Sequence, residues 1–317
     1  YKTDFRGSLH NLEVLAGYEF YRLKIQNLEG QNDHLYDPFI GELGNADGTK
    51  SKKTSSYTVD YLTQGFLARI QYNYGEKYFF SASYRRDASS RFADGHRWGN
   101  FGSIGGAWLM SSEPFLQETY WISMLKLKAS WGVQGNDNLY PTASYARKYY
   151  PYADNYTHSY NEETGEYSLT LAYKGNEDLT WENTWTSNIA LHFGFWNRLN
   201  VDLELYAKRT TDMLMSVPLS YAQSNGYGYM WDNVGAMVNL GAEINVNATV
   251  LQIKDFAWNV NANVSYNHNE IVELYNGVTE YERANTNTKL KVGHPLGEFY
   301  INRYAGVNPA NGDALWY

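Results

Sequence analysis

The sequence predicts an all-β chain, specifically a partial up-and-down antiparallel transmembrane β-barrel with roughly ten long strands. Three observations carry this reading. Apolar side chains recur at every second position over runs of about ten residues. Short turns alternate with long polar connections, and aromatic residues bracket the short turns.

The strands follow in order. Leu12, Val14, Ala16, Tyr18 and Phe20 share one face, with Glu13, Gly17 and Glu19 opposite and Leu15 as an exception. Phe66, Ala68, Ile70, Tyr72 and Tyr74 oppose Arg69, Gln71 and Asn73. Phe80, Ala82 and Tyr84 then alternate with Ser81, Ser83 and Arg85. Leu125, Leu127, Ala129, Trp131 and Val133 stand against Lys126, Lys128, Ser130 and Gly132. Leu199, Val201, Leu203 and Leu205 oppose Asn200, Asp202, Glu204 and Tyr206. Two late runs are the cleanest: Leu240 to Val250 against Asn239 to Thr249, and Trp258 to Tyr266 against Asn259 to Asn267.

Length separates this from a soluble sandwich. About ten residues at ~3.3 Å each, tilted by ~45°, rise roughly 24 Å, close to the ~25 Å apolar band of an outer-membrane barrel. Sandwich strands average about five or six residues. The short turns fall at 75–77, 194–198 and 252–255, and a medium connection at 111–124 holds a short helical stretch near 113–123. Long polar connections are expected at 22–63, 87–97, 135–181, 212–238 and 271–297. Up-and-down parity places the strand-like segment 167–173 inside the outer loop 135–181, because a further crossing would reverse every later strand.

Tyr72, Tyr74, Tyr78 and Phe79 flank the first short turn; Phe193, Phe195 and Trp196 the second; Phe256 and Trp258 the third. Rings with a flat apolar body and a polar handle suit the lipid–water boundary. The polar face of the late strands is Asn, Ser, Thr and Gly with few charges, which suits a wet lumen. Val246, Ala248, Val260 and Ala262 are expected to meet lipid, and Asn245, Asn247, Asn261 and Asn263 to line the interior.

Composition excludes several functions. The 317 residues carry 26 Lys+Arg against 34 Asp+Glu, a net charge of −8, and no Cys. Disulfide scaffolds and Cys-ligated metal sites are ruled out, and an acidic chain lacks the basic stripe that nucleic-acid binding needs. The seven His form no HxxxH or HExxH spacing, no GxSxG element is present, and the glycines at 102–106 lack the Lys-Ser/Thr of a phosphate loop. No metal, cofactor or catalytic residue is expected, and the chain does not read as an enzyme.

One set of motifs is distinctive. The run Tyr84-Arg85-Arg86-Asp87-Ala88-Ser89-Ser90-Arg91-Phe92 is followed by Arg97-Trp98-Gly99-Asn100-Phe101, Ala107-Trp108 and Glu113-Pro114-Phe115. Leu179-Thr180-Trp181-Glu182, Tyr206-Ala207-Lys208-Arg209-Thr210-Thr211-Asp212 and Asn233-Val234-Gly235-Ala236 come next, and Tyr304-Ala305-Gly306-Val307-Asn308-Pro309 comes last. In this order the chain resembles the barrel of the SusC/RagA-type TonB-dependent outer-membrane transporters of Bacteroidetes. The resemblance covers residues 1–317 as a barrel segment and implies that its roughly ten strands belong to a larger, about 22-stranded barrel, with the family's plug domain and C-terminal strands not recognisable in it. It implies active import of an oligosaccharide or oligopeptide across the outer membrane. Its implied partners are a SusD-like surface lipoprotein, and TonB–ExbB–ExbD acting through the plug.

The loop aromatics are the candidate recognition residues. Tyr145, Tyr149, Tyr150, Tyr152, Tyr156 and Tyr160 cluster in one outer loop, and Tyr227, Tyr229 and Trp231 in another. They can stack on a solute, contact a partner protein, or hold the loops together. Asp87, Arg91 and Asp94, beside the family-like motif, are candidates for loop architecture. Two other functions share the strand pattern. One is a siderophore or cobalamin TonB-dependent receptor; the other, of a different class, is a soluble secreted carbohydrate-binding β-protein with its apolar face hidden in a sandwich.

Overall fold

The computed structural model describes residues 2–5, 9–32, 35–46, 52–139, 148–161, 163–220, 228–282 and 287–316. Its first half contains β1 (Lys2–Phe5), β2 (His10–Asn32), β3 (Lys52–Tyr74), β4 (Tyr78–Ser89), β5 (Trp98–Leu109) and β6 (Ile122–Asn136). The second half contains β7 (Asn155–Asn161), β8 (Glu166–Tyr173), β9 (Glu182–Phe195), β10 (Leu199–Thr211), β11 (Leu214–Pro218), β12 (Tyr229–Asn233), β13 (Ala236–Ile253) and β14 (Phe256–Glu273). Five short strands close the chain: β15 (Glu280–Glu282), β16 (Thr288–Lys291), β17 (Glu298–Phe299), β18 (Tyr304–Val307) and β19 (Ala314–Trp316).

Ten of these form one antiparallel wall in the order β1-β2-β3-β4-β5-β6-β9-β10-β13-β14. The hairpins β7–β8 and β11–β12 are separate two-stranded sheets within long connections, so 167–173 does stay out of the wall. Between neighbouring strands of the wall the backbone N–H and C=O groups bond to each other, as a strand crossing a bilayer requires, and β1 and β14 stand at the two ends of the order. The turns between β3 and β4, β9 and β10, and β13 and β14 are short. Left-handed backbone at Gly75 and Glu76, and at Trp196 and Asn197, makes the first two of them.

The wall is curved, and the polar face is its concave side. One hollow of about 720 Å³ is lined by Glu13 on β2, Gln71 on β3, Ser81 on β4, Gly105 on β5, Ser130 on β6, Asn188 on β9 and Glu204 on β10. A flat sheet would not gather side chains from seven adjacent strands around one space. Among the described residues none covers the alternating apolar set of the convex face: Phe66, Phe80, Ile104, Ile189, Ile244 and Val264 are all exposed. Val260 is exposed and Val246 partly so, so neither sits in a dry interior. This excludes the soluble sandwich, whose apolar face would be covered.

Two aromatic rows edge the convex band. Near the short turns, Tyr74 lies 6.2 Å from Tyr78 and Tyr78 stacks on Trp108 at 6.3 Å. Trp121 stacks on Phe195 at 5.9 Å in the same row. At the other edge, Tyr18 meets Phe66 at 5.1 Å, Phe66 stacks on Trp98 at 6.3 Å, and Trp131 meets Trp185 at 5.3 Å. Outward apolar positions such as Ala68, Ile70, Ala82 and Ile104 lie between the two rows, the order of a membrane barrel's lipid-facing band.

Two expectations need correction. The stretch 22–63 is not one long loop, because β2 runs to Asn32 and β3 begins at Lys52, each 23 residues long and paired throughout. The reason lies in the phase of the alternation. Up to Phe20 the apolar positions are even and convex; beyond it they become odd, with Leu23 and Ile25 partly buried on the concave side opposite Tyr61 and Val59. Outward positions turn polar there, where Arg22 bonds Asp60 at 2.9 Å. Above the apolar band water is outside and packed loops are inside, so the pattern inverts. The second correction is the helix near 113–123, which shrinks to a 3-10 turn at Met110–Ser112 and one turn of α-helix at Pro114–Gln117.

Candidate functional site

The site is the concave wall together with the outer loops that fold over its upper end. Three long connections, after β4, β6 and β10, meet in a buried cluster of Phe92, Phe101, Leu139, Tyr173, Leu179, Trp181, Leu214 and Trp231. Trp181 is its pivot. Its ring lies 5.5 Å from Phe92 and 5.2 Å from Phe101, and its Nε1–H donates to the Arg97 carbonyl at 2.8 Å. Amide side chains then stitch loop to loop. Asn176 Nδ2 donates to the Trp231 carbonyl at 3.0 Å, and Asn233 Nδ2 to the Thr180 carbonyl at 2.9 Å. In return the Thr180 N–H donates to Asn233 Oδ1 at 2.7 Å, and the Leu214 N–H to Glu182 Oε2 at 3.1 Å.

A polar node stands beside this cluster. Arg91 Nη1 donates to the Asp137 carboxylate and to its carbonyl, both at 3.0 Å. Ser89 Oγ and the Tyr61 hydroxyl donate to the other carboxylate oxygen, at 2.6 and 2.8 Å. The guanidinium lies between rings, 4.5 Å from Tyr61 and 5.2 Å from Tyr149. The Tyr150 hydroxyl accepts from the Asp60 N–H at 2.9 Å, clamping the same loop to β3. Two charges taken from water are retained because every carboxylate oxygen is bonded.

The structure sorts the candidate residues. Tyr149 and Trp231 are buried, at 5% and 7% exposure, and hold the loops. Tyr150 is the clamp just described, and Tyr152 is half-buried. Tyr156 and Tyr160 on β7 are exposed, as is Tyr229 on β12. Tyr145 and Tyr227 lie outside the described residues. Asp87 faces the lumen and accepts from Arg85 Nε at 2.7 Å, against Gly65, where a Cβ would strike its carboxylate. Asp94 is at the surface, paired with Arg97 at 2.9 Å. Sequence reading missed Asp137 and Tyr61, whose sole signal is a polar or aromatic residue past the end of an alternating run.

Under Phe101 and Trp181 a second hollow, of about 590 Å³, opens onto Ser83, Ser103, Ser130, Gln134, Thr186 and Asn188. Hydroxyls and amides can both donate and accept, and no carboxylate–His–hydroxyl constellation accompanies them. Among the described residues no group of three His, Asp or Glu could hold a metal. The arrangement is suited to passing polar molecules along a wall.

A strand-built wall with a lipid-facing exterior, a wet polar interior and a loop roof on one side defines an outer-membrane β-barrel segment. The chain belongs to the TonB dependent receptor-like β-barrel family, whose model matches residues 1–317. The TonB-dependent receptor SusC of Bacteroides thetaiotaomicron is 30% identical over 330 residues, covering 96% of this chain and 31% of its own length. The TonB-dependent receptor P39 of Formosa agariphila is 31% identical, covering 94% of this chain and 28% of its own. The solved structure of the RagAB peptide transporter superposes with a TM-score of 0.86 at 30% identity, over all of this chain and 34% of that one. The chain thus spans about a third of the length of the relatives it matches, and its place is the outer membrane.

Proposed function

We propose that this chain forms part of the wall and the outer mouth of a TonB-dependent importer of glycans or peptides. The observation that carries this is the pairing of a serine- and amide-lined concave wall with a roof of interlocked loops, in a chain 30% identical to both SusC and the RagAB structure. The whole protein would take up its solute with energy passed from TonB–ExbB–ExbD through a plug domain, and a SusD-like lipoprotein would cover its mouth. The exposed loop aromatics Tyr156, Tyr160 and Tyr229 then contact the solute or that lipoprotein, while Asp87, Arg91 and Asp94 hold the mouth in shape. Transport, rather than catalysis, is the work of the assembly.

The test is uptake by cells carrying the full-length gene or its deletion. Oligosaccharide pools and peptide pools are supplied separately as sole nutrients. Loss of growth on one pool, restored by the gene but not when TonB is absent, supports the reading. Unimpaired growth on both pools contradicts it.

A further inference from the structure

The short turns mark the periplasmic rim of the wall, and one connection on that side is longer than the rest. The turns at 75–77, 196–198 and 254–255 take two or three residues each, whereas β5 and β6 are joined by the whole of 110–121. A hairpin needs only a turn here. The additional chain carries three large rings, Phe115, Tyr120 and Trp121.

Both ends of this connection are fastened to outward side chains. Glu113 accepts from the Tyr78 hydroxyl and from Trp108 Nε1, whose rings stack in the aromatic row of the convex face. Trp121 stacks on Phe195 of the same row, and its carbonyl accepts from the Trp196 N–H at 3.0 Å. The segment therefore hangs under the lipid-facing edge of β4, β5 and β9 rather than across the lumen. Between the fastenings Phe115 is 65% and Tyr120 88% exposed.

The neighbouring turn adds a third exposed ring. Trp196 has a φ of 47° and Asn197 one of 53°, a left-handed pair that tight hairpins usually fill with Asn and Gly. A bulky residue in that conformation is an outlier, and such strain marks working positions. Here it presents an indole that is 58% exposed and 6.0 Å from the ring of Phe195. At a boundary between water and hydrocarbon such rings bury their flat bodies and keep their polar edges wet. The stretch 110–121 has no Lys or Arg, so charge does not draw it to an anionic surface.

We propose that Phe115, Tyr120 and Trp196 form a foot seated in the periplasmic leaflet of the outer membrane, where phospholipid headgroups meet acyl chains. Through Trp121 and Phe195 the foot is continuous with the lipid-facing band, which it extends past the strand ends. Irregular backbone is tolerated at this depth because headgroup water still reaches its N–H and C=O groups. The foot fixes the depth of the β5–β9 sector of the rim. It is independent of the solute, so this inference and the transport reading fail separately.

Nitroxide labels at Phe115→Cys, Tyr120→Cys and Trp196→Cys test this in the full-length protein, reconstituted in phosphatidylcholine vesicles and read by electron paramagnetic resonance. Asp255→Cys, in the exposed turn between β13 and β14, is the aqueous control. Relaxation by oxygen against a water-soluble nickel chelate should place the three labels about 5–10 Å into the headgroup–acyl boundary and the control in water. Phe115 and Tyr120 are exposed, so their variants keep the fold and carry the test if the Trp196 variant does not. Labels at Phe115 and Tyr120 as open to the nickel chelate as the control overturn the proposal. Labels shielded from both reagents also overturn it, by assigning the patch to a protein contact. So does a depth that appears only when phosphatidylglycerol is added, since the attraction would then be charge.

Discussion

Arg91 and Asp137 are 46 residues apart in sequence and meet at 3.0 Å, with side chains only 7% and 14% exposed. The pair joins the connection after β4 to the connection after β6. The second nitrogen type of Arg91 goes without a bond: Nε is buried and has no hydrogen-bond partner. The faces of Tyr61 and Tyr149 take its place as neighbours, so the charge is held by the Nη1 bonds on one side and π-faces on the other.

Removing one member of this pair leaves the other charged and buried. Arg91→Ala should cost the outer loops about 3 kcal/mol, and so speed proteolysis within residues 148–161 roughly 100-fold. The wall should keep its strand content by circular dichroism. Arg91→Lys should rescue little, because an ammonium lacks the flat guanidinium that lies against Tyr61 and Tyr149.

Glu113 ties the periplasmic rim. Its carboxylate accepts from the Tyr78 hydroxyl at 2.7 Å and from Trp108 Nε1 at 3.1 Å, and Lys77 sits at 3.4 Å. The Tyr78 bond first, then that of Trp108, holds its pKa below the ordinary 4.5. A depressed carboxylate stabilises the fold above the unfolded-state pKa, and this contribution disappears as pH falls through the folded value. Glu113→Gln should therefore unfold at lower urea concentration than the parent at pH 7, and the gap should close toward pH 3.

The two faces of β13 predict opposite tolerances. Ile244→Arg puts a charge toward lipid and should cost about 2–4 kcal/mol in refolding into vesicles if it lies near mid-band. Asn245→Arg, pointing into the wet lumen one residue later, should cost under ~1 kcal/mol. Equal penalties would mean the faces are assigned wrongly.

Loop aromatics should divide by burial. Trp231→Ala empties a site in the roof cluster and should destabilise it by about 3–5 kcal/mol. Tyr160→Ala and Tyr167→Ala, whose rings meet at 4.8 Å on the exposed hairpin, should leave the melting temperature within a degree or two. If that hairpin touches solute or lid, the double variant should lower uptake while expression stays constant.

Much of the wall was legible because lipid outside and water inside impose a period of two on every crossing, and turns must fall where the runs stop. The short turns at 75–77, 196–198 and 254–255 fall within or match the stretches expected from the sequence. The β2–β3 arm was misread because its alternation continues in the opposite phase, and a phase change looks like the end of a strand until the neighbouring chain is seen. The roof was scarcely legible. Arg91 and Asp137, or Trp181 and Arg97, have no local periodicity that ties them.

What the sequence determined by itself is the class of fold and which side of each strand is dry, since both follow from one residue's relation to its second neighbour. What the tertiary structure alone decided is which loop aromatics are buried as supports and which are free to touch something else. That choice depends on contacts between segments tens of residues apart, where the identity of a tyrosine says nothing and the packing around its ring says everything.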